Sequence, residues 1–198
     1  GEPEHTFFGH PVYEPFGVSA GPIFNSRYAK GALNMGFDIL VYKTVRSREK
    51  PVHPWPNFLP LELSGDYEEG DVVARDNQEY TEPLAAANSF GVPSVDPSVW
   101  IDDMKLVNGM MRKGQVTICA FEGTNWGEGA AAYIEDHVKA AKMVLSTNPR
   151  VVEMNTSCPN EGTTSLLCYD IERMYEITSR VKEVLGSTPL VVKIGYFP

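Results

Sequence analysis

Apolar positions along the chain follow two rhythms. Residues 37–45, Val116–Phe121, Val151–Asn155 and 190–196 are short, β-branched and largely apolar, the pattern of buried strands. Between them, apolar residues recur three and four apart, the spacing of one helix face. Residues 27–35 predict a short helix with Tyr28, Ala32, Leu33 and Met35 apolar and Gly36 at its end. Residues 95–113 open on Asp96-Pro97, a cap followed by proline at the first helical position, and carry Trp100, Met104, Val107 and Met111. Ala130–Leu145 sets Ile134, Val138, Ala141 and Leu145 on one stripe. Residues 165–185 turn Leu167, Ile171, Met174, Ile177, Val181 and Val184 inward. Residues 7–18 read as a hairpin around Gly9 that leads into a first strand near 16–20. Strands alternating with helices predict a parallel α/β fold. The pattern does not separate an open doubly wound sheet from a barrel. No Gly-x-Gly-x-x-Gly follows a strand, which weakens a dinucleotide-binding reading.

Residues 47–93 break both rhythms. Pro51, Pro54, Pro56, Pro60, Pro83 and Pro93 are too many for a regular element. The acidic middle, 65–71, reads as an exposed turn or hairpin. The segment is either a surface insertion or a lid or subunit contact, since long ordered loops are often functional.

Composition narrows the class. The chain has 198 residues, 42% hydrophobic and 22% charged, enough for one substantial core. It carries 26 acidic against 17 basic residues, a net charge of −9, and no basic stripe, so a nucleic-acid partner is not expected. No run of about 18 apolar residues is present, so no membrane span is expected. The N-terminal Gly1-Glu2-Pro3-Glu4-His5 lacks a signal peptide's basic and apolar regions, and a cytoplasmic location follows as an expectation. The three cysteines, Cys119, Cys158 and Cys168, form no Cys-x-x-Cys pair and are expected to be reduced. Cys119 lies inside an apolar strand and Cys168 in a helical pattern, so both read as small buried residues. The histidines show no ligand spacing, and no metal site is expected.

Chemistry concentrates where the third long strand stops. Val151–Asn155 runs into Thr156-Ser157-Cys158-Pro159-Asn160. This turn delivers a thiol and several hydrogen-bonding groups to one rim, and proline stiffens it just after the thiol. In parallel α/β folds the carboxyl ends of the strands are where chemistry is done. A thiol titrating near pH 8.5 needs only a modest depression to act as a base at neutral pH. Asn155 and Asn160 each offer two donors and an acceptor, which suits a ring edge where donors and acceptors alternate. Lys43 ends one apolar strand and Lys193 lies near the end of another. A lysine so placed is costly unless it is paired, faces a ligand or snorkels to the rim.

The hexapeptide from Asn155 to Asn160 resembles the Asn-x-Ser-Cys-Pro-Asn loop of flavin-dependent dihydroorotate dehydrogenases, in the soluble class that uses cysteine as its base. Ser19-Ala20-Gly21-Pro22 resembles the loop after that family's first barrel strand, and Tyr42-Lys43-Thr44-Val45 the end of its second. Asn88-Ser89-Phe90-Gly91-Val92-Pro93 resembles its substrate loop, Leu167-Cys168-Tyr169-Asp170 its next helix start, and Val191-Val192-Lys193-Ile194 a lysine-bearing strand. The motifs fall in the family's order along nearly the whole chain.

The resemblance implies a (β/α)8 TIM barrel, of which this chain covers about the first five βα units after an N-terminal hairpin. It implies FMN as cofactor, and dihydroorotate or a similar dihydropyrimidine as substrate, oxidised in pyrimidine biosynthesis. Cys158 would be the general base. Lys43, Asn88, Phe90, Gly91, Val92, Asn155 and Asn160 would bind substrate. Ala20, Gly21, Lys43, Thr44, Asn155 and Lys193 would contact the flavin. Fumarate would be the electron acceptor. Separately, five strands cannot close such a barrel, and the open face and edges predict association with a second copy, a homodimer. Two other readings stay open. A dihydrouridine synthase has a superficially similar Asn-x-x-Cys-Pro loop, but it would need basic surface for transfer RNA, against the charge of −9. An inactive barrel fragment would keep the motifs and lack the flavin phosphate site.

Overall fold

The computed structural model describes residues 1–62, 73–74, 82, 84–158 and 166–197. In chain order the elements are β1 (His5–Phe7), β2 (His10–Val12), β3 (Gly17–Val18), α1 (Ser26–Asn34), β4 (Ile39–Val45), β5 (Phe58–Glu62), β6 (Val73–Ala74), β7 (Ala86–Asn88), α2 (Pro97–Met110), β8 (Val116–Phe121), α3 (Ala130–Leu145), β9 (Val151–Asn155), α4 (Ile171–Leu185) and β10 (Leu190–Lys193). The ambiguity between open sheet and barrel is settled by topology. The main sheet has five parallel strands in the order β10-β9-β8-β4-β3, so spatial order follows chain order without a reversal. A doubly wound sheet reverses at a switch point and carries helices on both faces. Here residues of all four helices pack with Leu40, Tyr42, Cys119, Phe121, Val152 and Met154 on a single face. That is the wall of a partial α/β barrel, helices outside.

The opposite face carries Ile39, Val41, Val116, Ile118, Ala120 and Val151. At the amino ends of these strands the β1–β2 hairpin covers it, with Val12 fully buried and Phe7 packed alongside. The sheet edge at β3 is so close that a Cβ on Gly17 would lie 2.0 Å from the Ile39 carbonyl oxygen. Only glycine fits there.

Four of the expected helices form, with differences that have local causes. Residues 165–185 are not one helix. A 3-10 turn, Leu167–Tyr169, precedes α4, and Asp170 restarts the chain by accepting a hydrogen bond from the Arg173 amide at 3.1 Å. Aspartate competes with the helix interior in this way and favours caps. The inward stripe of α4 therefore includes Ile177, Val181 and Leu185, while Ile171 is 77% exposed. In α1, capped by Asn25, Ala29 and Ala32 are buried, and Tyr28 and Met35 face outward. Met111 ends α2 as an extended C-cap instead of lying inside it. The segment 47–93 does contain regular structure: β6, β5 and β7 form a three-stranded antiparallel sheet. Pro60 is accommodated inside β5, opposite Ala86. The acidic stretch 65–71 lies outside the described residues. Among the described residues no helix is long and apolar enough to cross a membrane.

Candidate active site

The carboxyl ends of the parallel strands carry three of the side chains singled out above. Lys43 comes from β4, Asn155 from β9 and Lys193 from β10, where Lys193 pairs in register with Asn155. Strand β4 reaches the rim through a break in its ladder. Tyr42 lies opposite Cys119 but Val45 opposite Phe121, so the register slips by one residue between them. Side chains alternate across a sheet, so an extra residue reverses which parity faces the core. Leu40 and Tyr42 face the helices before the slip, and Val45 does so after it. At this bulge the Lys43 amide donates to the Ile23 carbonyl at 2.9 Å, and its ammonium reaches the Thr44 carbonyl at 3.4 Å. Bulges beside functional sites re-aim side chains in this manner.

A cavity of about 530 Å³ opens beside Lys43. Its walls include Gly21, Phe24, Asn88, Phe90 and Gly91 through Pro93. Six of the expected ligand-contacting positions, Gly21, Lys43, Asn88, Phe90, Gly91 and Val92, thus meet at one space, although they lie as far apart in sequence as Gly21 and Val92. The 88–93 loop is held in an unusual conformation. Gly91 and Val92 both have positive φ, +78° and +46°. For a β-branched residue such as Val92 that region is strained. A Cβ on Gly91 would lie 2.3 Å from His53 Nε2, so the loop packs tightly on the 50–57 segment. Backbone bonds Lys50 N to Ser94 O, Ser94 N to Lys50 O, and His53 N to Phe90 O, all 2.9–3.1 Å, tie the two together. Phe90 stacks on Phe58 of β5 with ring centroids 6.1 Å apart.

Asn155 is 3% exposed, and its Nδ2 donates to Glu122 Oε2 at 2.7 Å. A carboxylate only accepts, so the orientation of the amide is determined. Its Oδ1 faces Ser157, whose amide and hydroxyl donate to it at 3.3 and 3.2 Å. Part of the hydrogen-bonding capacity attributed to a ligand is thus used to shape the turn before Cys158. Cys158 is buried at 8% exposure. None of the cysteines is in a disulfide. Cys119 is inert by comparison, since burial pushes its thiol up to about 12. Asn160 and Pro159 lie outside the described residues. Thr44 and Ala20 are buried next to the rim, and Lys193 is exposed on it.

The field at the rim centres on Lys43, whose pKa falls from 10.5 to about 8. Burial is the main cause, and Arg46 and Lys193 push the same way, while Glu122 and Cys158 oppose them. One layer deeper, Glu153 on β9 is buried, with Oε1 lacking a hydrogen-bond partner among the described residues. Burial raises its pKa, partly offset by Lys193.

Three charged residues escaped the reading of the sequence. Arg46 is fully buried, Glu122 is 2% exposed and Asp136 of α3 is 5% exposed. The signal for Glu122 was present. It directly follows an apolar strand and shares the parity of Ile118 and Ala120, the same placement that drew attention to Lys43. Asp136 accepts from the Thr124 amide at 2.8 Å, from Trp126 Nε1 at 3.1 Å and from the Ser47 hydroxyl, so it clips the loops after β4 and β8 to α3. Nothing in the helical pattern marks it. Among the described residues no group of His, Cys, Asp or Glu side chains could hold a metal ion.

No protein-family model matches the chain. Among curated proteins, the Dictyostelium discoideum protein named dihydroorotate dehydrogenase is 34% identical over 200 residues, covering 96% of this chain and 54% of its own length. Over nearly its whole length the chain is thus similar to a dihydroorotate dehydrogenase. It spans about half the length of that relative. Ligand-free DHODH from Eimeria tenella superposes with a TM-score of 0.71 at 18% identity, over 98% of this chain and 54% of that one. The same protein in complex with ferulenol gives 0.69 at 18% identity, over 94% and 50%. These likenesses agree with the fold read from strand order, a partial α/β barrel.

Proposed function

We propose that this chain supplies the ring-binding and proton-abstracting half of an enzyme that oxidises dihydroorotate to orotate in pyrimidine biosynthesis. The observation that carries the reading is the cavity where Gly21, Lys43, Asn88 and the 90–93 loop converge at the carboxyl ends of parallel strands. Its size suits a single small ring system, and its polar groups are few and convergent, as in small-molecule sites generally.

The oxidation removes a proton from one ring carbon and a hydride from its neighbour, leaving a C=C bond. Cys158 takes the proton as thiolate. Asn88, Asn155 and Asn160 hold the amide and carboxylate edges of the ring, and the backbone of Phe90, Gly91 and Val92 lines the same wall. Lys43 borders the ring with its ammonium, which attracts an anionic substrate. The rim also fits FMN. A Cβ on Gly21 would meet nothing within 4 Å, so a flat ring can approach the backbone there. Ala20, Gly21, Lys43, Thr44, Asn155 and Lys193 would hold it, with the two lysines favouring negative charge. Bound there, FMN would accept the hydride that no side chain can take. Fumarate as final electron acceptor follows from resemblance to the cysteine class, a cytoplasmic location from the unpaired cysteines, and a homodimer from the open edges that a second copy would cover.

Cys158→Ala in the full protein tests the assignment. Flavin should stay bound while its reduction by dihydroorotate slows about a hundredfold or more, the scale of a lost acid–base group. Cys158→Ser should keep partial activity only at raised pH, because a hydroxyl is the weaker acid. Unchanged reduction rates in the alanine variant would end the base assignment.

A further inference from the structure

The most heavily bonded side chain near the site is one with no assigned part in the reaction. Arg46 leaves β4 immediately after the bulge and is fully buried. Its Nε donates to the Val92 carbonyl at 2.9 Å and Nη2 to the Gly91 carbonyl at 3.4 Å. Nη1 donates to Thr124 Oγ1 at 2.7 Å and to the Gly123 carbonyl at 3.3 Å. Nη2 also lies 3.4 Å from Glu122 Oε1. The other carboxylate oxygen of Glu122 receives the Asn155 amide at 2.7 Å. A continuous chain of bonds thus runs from the strained Gly91-Val92 carbonyls, through one guanidinium and one carboxylate, to the amide that shapes the turn before Cys158.

We infer that Arg46 and Glu122 are positioning residues for the ring site: their buried ion pair clasps the 88–93 loop to Asn155, so the two loops that hold the substrate are set as one body. The inference rests on the reading of the site as a ring-binding one. A guanidinium presents several donors in a rigid plane, so it holds two carbonyls and a carboxylate in a fixed mutual geometry that an ammonium cannot reproduce. Val92 at φ +46° carries a conformational cost, and the bond from Arg46 Nε to its carbonyl helps offset it. Paired buried charges are weak contributors to stability, and in some proteins they specify geometry instead. The pair also sets the local field. Lys43 faces Arg46 at the exit of β4, Glu122 from β8, Lys193 from β10 and Cys158 after β9. Glu122 is therefore an anion that helps keep Lys43 protonated.

The test uses the full flavin-loaded protein and two variants, Glu122→Gln and Arg46→Met/Glu122→Gln. The first keeps shape and removes the charge. The second removes both charges and so avoids an unpaired one, keeping the test alive should the first unfold. Both should bind flavin and melt cooperatively. Orotate should bind about tenfold or more weakly in each, the scale of a buried partner lost. In Glu122→Gln the alkaline limb of orotate binding should move to lower pH by about half a unit or more, because an anion supporting the Lys43 charge is gone. A merely structural role would not move that limb. Amide hydrogen exchange of the 88–94 loop in ligand-free protein should quicken about tenfold in the double variant. Unchanged exchange together with orotate affinity within twofold of wild type would overturn the clasp. Wild-type protein that neither binds orotate nor oxidises dihydroorotate would instead overturn the ring-site reading, while the exchange result would still decide whether the loops are coupled.

Discussion

Lys43→Met should make the protein more stable and less able to bind its ring ligand. The structure sets the magnitude. Burial, with help from Arg46 and Lys193, lowers the Lys43 pKa from 10.5 to about 8. At 1.36 kcal/mol per pH unit this corresponds to about 3 kcal/mol of unfavourable free energy for the charged form in the fold. Below pH 8 the residue is protonated in both the folded and the unfolded chain, so the whole penalty is present at pH 7. Between pH 8 and 10.5 the unfolded chain holds more protons than the folded one, and stability rises with pH. Above 10.5 both forms are neutral and the penalty is gone. Methionine keeps the unbranched stem and its packing while deleting the charge, so the variant lacks both the penalty and the pH-dependent rise. Urea unfolding of wild type and Lys43→Met should show the variant more stable by up to about 3 kcal/mol at pH 7, with the gap closing to a few tenths by about pH 10.5. A gap of zero at pH 7, or one that does not change with pH, would refute the argument that Lys43 is held charged at a desolvated rim. Loss of ring binding in the same variant would show why the cost is tolerated, since sites often trade stability for function.

Three further outcomes are expected. Asn88→Ala should weaken orotate binding by about 1–3 kcal/mol in a calorimetric titration, the cost of an orphaned polar contact, and unchanged affinity would remove Asn88 from the site. Asp136→Ala should cost about 3 kcal/mol in denaturant unfolding, because the Thr124 amide, Trp126 Nε1 and the Ser47 hydroxyl lose their common acceptor; a loss under about 0.5 kcal/mol would show the loops are held otherwise. The 198-residue chain by itself should self-associate in light scattering. Among the described residues its main sheet ends at β3 and β10, so a monodisperse monomer would contradict the open-edge argument.

Strand and helix identity was legible because burial on both faces of a parallel strand leaves a continuous apolar run, and burial of one helix stripe leaves a 3.6-residue period. Val116–Phe121, Ala130–Leu145 and Val151–Asn155 form over the residues that the pattern marks. The polar turn after β9 was legible for the same reason: a thiol and amides interrupt an apolar run where a strand must end. Tertiary structure decided what periodicity cannot carry. Strand order and the single helix-covered face separate barrel from open sheet, and they depend on which strands pair across the chain. The bulge at Lys43 appears only when β4 is laid against β8. The small sheet within 47–93 survives its prolines because its strands find partners at long range. Above all, Arg46 and Asp136 look in sequence like ordinary surface charges. Only the fold brings their partners near enough to take them out of water, and a buried charge is defined by those partners and not by its neighbours along the chain.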